Sequence, residues 1–279
     1  MRILPLVLAA LPMAATAEPL QIVTDFPPVQ SLVMQVAGER ADVDVLLDPN
    51  ADPHSFQLRP SQAQTLAQAD YLFWIGEELT PWLERAAQGV ASDLPNLAFF
   101  DVEDHHEDKV DPHIWLDTHM ATEMLDLIAG ELSAIDPDGA AYYAQNAQEA
   151  AAEIDRLTRD VAEILKDVTE VPFAVTHEGY NYFIDQFGLT QIGSLKDVND
   201  APANAGNVSD LAQQAENGRF VCAFGEVGES SKLLDLLVEQ GARQGADLDP
   251  AGMTQNLGTG LYRALITTLA TSLADCLEG

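Results

Sequence analysis

Cations are scarce in this chain: 13 Lys plus Arg stand against 45 Asp plus Glu in 279 residues, for a formal net charge of -32. No basic face can be assembled from so few, which excludes a nucleic-acid partner and electrostatic docking on anionic lipid. Long apolar runs are also missing. The longest, Ile3 to Ala15, falls short of the roughly 20 residues a bilayer span needs and contains Pro5 and Pro12. No phosphate-binding glycine loop, HExxH helix or nucleophile motif is present. There are two cysteines and no CxxC pair, which argues against a redox-active dithiol. What the chain does have is 47% apolar residues, enough to bury a core despite the acidity. Its length fits two domains or lobes at roughly 100–200 residues each.

Residues 1–17, MRILPLVLAALPMAATA, carry Arg2, an apolar stretch and a small-x-small site at Ala15-Thr16-Ala17. This is the pattern of a secretory signal peptide, and no cysteine stands at the cleavage point to take a lipid. The expectation is a soluble exported protein. An even cysteine count in an exported chain suggests one disulfide, Cys222 to Cys276, which would pin the last helix; two buried thiols are the alternative.

Strand-like and helical patterns alternate along the chain. Leu20–Thr24, Asp42–Leu47, Tyr71–Ile75 and Leu97–Asp101 read as strands, with helices opened by Pro27-Pro28, Ser61 and Pro81 between them. After the polar segment 102–111, Asp117 or Thr118 can cap a helix running to about Ala134. Residues 137–168 carry apolar positions at Tyr143, Ala147, Ala150, Ile154, Leu157, Val161, Ile164 and Val168, the three-and-four spacing of one long helix of about 48 Å. The second half resumes with strands at Val171–Thr176, Leu189–Ile192, Phe220–Phe224 and Ala246–Leu248, and a terminal helix marked by Leu257, Leu261, Leu265, Leu269 and Leu273. The fold class is α/β. The expected organisation is a leader at 1–17, an N-terminal lobe at 18–136, a linking helix at 137–168 and a C-terminal lobe at 169–279.

Of six histidines, three share a setting. His54 lies in a loop after the DVDVLL strand, His113 in Asp111-Pro112-His113, and His177 at the end of a strand, where open α/β sheets gather their ligands. Three imidazoles plus an oxygen donor make a tetrahedral zinc site, although separations of about 60 residues carry little weight as a pattern. Unrelated cleft histidines are the other reading. His105 and His106, among four acids in residues 103–108, suggest a secondary exposed metal site or a merely solvated loop. His119 reads as a surface side chain.

The segments ADPHSFQLRPSQ (51–62), DPHIWLD (111–117), THEGYNYFIDQFGL (176–189), CAFGEV (222–227) and LDPAG (248–252) occur in one order over both halves. Together they resemble the zinc-binding component of bacterial zinc ABC importers, within a wider cluster of manganese- and zinc-binding solute receptors. The resemblance implies two Rossmann-like α/β lobes joined by a long rigid helix, with metal in the cleft. It implies Zn²⁺ held by His54, His113 and His177, and a disulfide near the C-terminus. It also implies a periplasmic location, an inner-membrane ABC permease as partner, a metallochaperone as a further partner and a monomeric protein. Pro53 replaces the glutamate that some relatives place before the first histidine, leaving Asp249, Glu226 or water for the fourth position. A histidine at 177, where manganese receptors tend to carry glutamate, favours zinc. An exported adhesin or metal buffer is the alternative function, and a zinc-dependent hydrolase a more distant one.

Overall fold

In the computed structural model, residues 18–48, 51–102, 111–230 and 232–279 are described. The expected leader, His105 and His106 lie outside the described residues. The first lobe opens with β1 (Leu20–Thr24) and α1 (Pro27–Ala37), whose paired prolines suit a first helical turn because their φ is already fixed near the helical value. β2 (Ala41–Val45), α2 (Pro60–Ala67), β3 (Tyr71–Trp74), α3 (Pro81–Val90) and β4 (Asn96–Ala98) continue the alternation. The strands are parallel, in the order β2-β1-β3-β4. β3 is buried at all four residues, as a central parallel strand covered on both faces must be, whereas the edge strand β2 alternates.

The strand expected to reach Asp101 stops at Ala98, and α4 (Phe99–Val102) takes over. Phe99 and Phe100 are consecutive and both buried. Strand alternation would turn one of them outward, and a helical turn keeps both inside. α5 (Thr118–Ile135) is capped by Asp117, whose carboxylate accepts from the His119 and Met120 amides. A tight turn at Pro137–Gly139 then leads into α6 (Ala140–Leu165), which is about 39 Å long. Its buried face is Tyr143, Ala147, Ala150, Ile154, Leu157, Val161 and Leu165.

The second lobe comprises β5 (Phe173–His177), α7 (Asn181–Phe187), β6 (Gln191–Lys196), α8 (Ala205–Glu216), β7 (Cys222–Phe224), α9 (Lys232–Glu239) and β8 (Arg243–Gln244). Its strands are parallel in the order β6-β5-β7-β8. The strand expected at 246–248 is displaced to β8, and beyond it Leu248 makes a single bridge to Glu226. Gly245 still donates to the Ala223 carbonyl at 2.9 Å and passes so close to the Phe224 ring that a Cβ there would meet it at 2.2 Å.

α10 (Leu261–Leu277) does not stay with the second sheet. It packs on α1 and α6, where Ser31 Oγ donates to the Thr259 carbonyl and accepts from the Tyr262 amide. Its last turn is tied back to β7 by the Cys222–Cys276 disulfide, with Cα atoms 6.3 Å apart. The principal core therefore runs unbroken from the first sheet through α5, α6 and α10 to Phe173, Val175 and Phe224 of the second. A smaller core lies under α8 and α9. In each sheet the strand order reverses beside the first strand of its lobe, which opens a crevice at the carboxyl ends of β1 and β5.

Candidate metal centre

β5 ends in His177, and its neighbour β7 ends at Phe224, two residues before Glu226. Residues just beyond these paired strands face each other. His177 Nδ1 lies 3.1 Å from Glu226 Oε2, which also accepts from the Tyr180 hydroxyl at 2.7 Å. A carboxylate against Nδ1 fixes the proton there and turns Nε2 the other way. His177 is 2% exposed, and its Nε2 is buried without a hydrogen-bond partner.

His113 follows the same design on another element. In the turn Asp111-Pro112-His113, Asp111 Oδ1 accepts from the His113 amide at 3.0 Å and lies 2.7 Å from its Nδ1. Asp111 Oδ2 accepts from Asn181 Nδ2 at 2.9 Å, so one carboxylate orients a histidine of the first lobe and holds the start of α7 in the second. His54 is set by its loop. Asp52 accepts from the His54 amide at 2.8 Å and from Ser55 Oγ at 2.6 Å, and the Pro53 carbonyl accepts from Trp82 Nε1 at 2.7 Å. His54 Nε2 is also buried and unpartnered.

The three rings converge. One nitrogen from each of His54, His113 and His177 lies within 4.8 Å of the others, and the ring centroids are 5.0–5.7 Å apart. In a tetrahedral zinc site with bonds of about 2.0–2.1 Å, nitrogens sit about 3.3 Å apart, so a small contraction onto an ion completes the geometry. Gly179 makes the approach possible: a Cβ there would stand 2.9 Å from both His113 Nε2 and His177 Cε1. The sequence offered no signal for this glycine. The histidines line a cavity of about 90 Å³ with Asp52, Asp200 and Glu229 also in its wall.

Burial and mutual repulsion set the charges. Burial, then the neighbouring His113 and His177, pulls His54 down to about 4. Burial also pulls on His177, but the hydrogen bond and charge of Glu226, with Asp200 and Glu229 behind it, win and lift it to about 9. Burial pushes Glu226 up, and His177 and Tyr180 reverse that, holding it below the usual carboxylate range. Asp111 is held low in the same way by His113. Burial raises Glu229 to about 7.

Asp249, expected as the fourth ligand, is not among this group. It is 4% exposed, and its two oxygens accept from the Met253 amide, the Thr254 amide and Thr254 Oγ1 at 2.6–2.8 Å. With the strand ending at Gln244 instead of Leu248, the carboxylate closes the turn that follows it. Asp111 supports His113, Asp117 caps α5, and Glu226 supports His177. His119 is exposed beside Glu123.

Comparison with known proteins finds the family described as zinc-uptake complex component A, periplasmic, matching residues 22–276. A high-affinity zinc uptake system protein ZnuA of Paracoccus denitrificans is 35% identical, over 96% of this chain and 94% of that protein. A ZnuA of Brucella suis biovar 1 is 27% identical over 92% of this chain and 91% of its own length. Among solved structures, a crystal structure of ZnuA superposes with a TM-score of 0.80 at 26% identity, covering 93% of this chain and 99% of the other. The periplasmic zinc-binding protein TroA of Treponema pallidum shares the fold, with a TM-score of 0.81 at 19% identity, over 94% and 99%.

Proposed function

The chain belongs to the family of the periplasmic zinc-uptake complex component A, and on that premise we propose that it captures Zn²⁺ in the periplasm through His54, His113 and His177 and delivers it to an ABC-type permease. One observation carries the reading. Imidazole nitrogens from two loops and the end of a strand converge in one cavity, two of them without any partner, while carboxylates hold the far side of two rings. An unpartnered buried nitrogen is costly, and an ion that accepts three of them removes that cost. Neutral imidazole donors select zinc over manganese or magnesium.

We read the site as a carrier's: the three histidines line a cavity of about 90 Å³ that has room for an ion and its water. Residues 1–17 serve export, and no described helix is long and apolar enough to cross a membrane. His105 and His106 serve, on this reading, as accessory metal-capturing side chains.

Metal analysis of the mature protein, with chelator-competition titration of the apo form, tests this. One tight Zn²⁺ per chain is expected, unaffected by deletion of residues 103–108. Alanine at His54, His113 or His177 should each cost more than the roughly 10–100-fold of losing a supporting contact. Wild-type affinity in all three variants refutes the assignment.

A further inference from the structure

Three histidines leave a tetrahedral ion one position short, and the structure withholds Asp249 from it. Asp200 lies in the wall of the same cavity as the three rings. We propose that Asp200 is the mobile oxygen donor that closes over the ion, swinging from Lys196 onto the zinc held by the three histidines. The proposal rests on the three-histidine reading above and deepens it.

Two independent features support it. The first is the pair of buried nitrogens, His54 Nε2 and His177 Nε2, that face this cavity without a partner and so mark where a ligand sits. The second is how Asp200 is held. Lys196 Nζ, at the end of β6, contacts Asp200 Oδ1 at 2.7 Å and Glu229 Oε1 at 2.6 Å. When Asp200 leaves, the ammonium keeps Glu229 and no charge is stranded. Of the other carboxylates in the wall, Asp52 is committed to its own loop and Glu226 to His177 and Tyr180, while Asp200 and Glu229 share Lys196 and only Asp200 stands on a separate turn.

The loop is built to present this residue. Asp197 Oδ1 accepts from the amides of Asn199 and Ala201, so the turn is fixed at its base and Asp200 stands at its tip. Among the described residues Asp200 is the one non-glycine with positive φ, at 62°. Asp and Asn are the side chains best tolerated there. Asp200→Asn therefore removes the charge and leaves the backbone preference in place.

The experiment compares the wild type with Asp200→Asn, Asp249→Asn and His177→Ala in the full mature chain. It uses chelator-competition titration with Zn²⁺, the visible spectrum of the Co²⁺-loaded protein, and apo melting temperature. Asp200→Asn should lose on the order of 10–100-fold in zinc affinity and change the Co²⁺ ligand-field bands, while its apo melting temperature moves only a few degrees. Asp249→Asn should keep the affinity and the spectrum and lose apo stability. Wild-type affinity and spectrum in Asp200→Asn, with binding lost in His177→Ala, overturns the proposal and leaves the histidine site standing. Loss of binding in Asp249→Asn alone also overturns it. Unchanged binding in His177→Ala overturns the reading beneath it.

Discussion

Zinc loading should expel a proton from His177, and Glu226 should control how completely. With Glu226 beside Nδ1 and a pKa of about 9, the apo imidazole is mostly doubly protonated at pH 7. Its second proton sits on Nε2, which faces the cavity. His54, at about 4, has none to give. An ion taking His177 Nε2 therefore displaces about one proton from that ring at any pH between roughly 5 and 8. The cost at pH 7 relative to a fully deprotonated ring is about 2.7 kcal/mol, two pH units below the pKa at about 1.36 kcal/mol each. Glu226→Gln keeps an oxygen for Nδ1–H and removes the charge. Burial, the largest influence on the ring, then has less opposing it, and the pKa falls toward the ordinary histidine value. Calorimetric zinc titrations in buffers of different ionisation enthalpy count the protons released. At pH 7.5 the wild type should release at least half a proton more than Glu226→Gln, and its affinity should climb more steeply with pH up to about 9. Equal release by the two proteins refutes the argument.

The apo protein should show the same linkage without metal. Because folding raises the His177 pKa, its stabilisation is complete below about 6.5 and is lost as pH rises through about 9; apo melting temperature should fall over that window and the zinc-loaded protein's should not. Replacing both Cys222 and Cys276 by serine should cost about 2–5 kcal/mol in denaturant unfolding, since the bond closes a 54-residue separation, while zinc affinity changes little. Asp111→Asn should weaken zinc binding about 10–100-fold by loosening His113, read by the same competition titration.

The sequence reading reached the α/β class, the three histidines and the cysteine pair, because each depends on local pattern, count or a run of matching segments. Tyr71–Trp74 is a strand from any view, and the α6 face repeats every three or four residues. What was illegible depends on neighbours far along the chain. Two adjacent phenylalanines look like a strand until the next layer requires both inside. The hydrogen bonds that Asp249 accepts from Met253 and Thr254 are likewise visible only in the fold. Asp200, Lys196 and Glu229 carry no motif, and only the turn after β6 and the loop after β7 bring them together.

The last helix sets how an ion can leave. α10 is bonded to β7 of one lobe and packed into α1 and α6 of the other, within a core that neither lobe owns alone. Swinging the lobes apart would expose that core to water, and each large buried side chain uncovered costs about 1.5–3 kcal/mol. A partner can supply that much only by covering the same surface itself. A release route that leaves this core closed would work at the 197–201 turn, whose polar contacts can exchange while the scaffold behind it stands still.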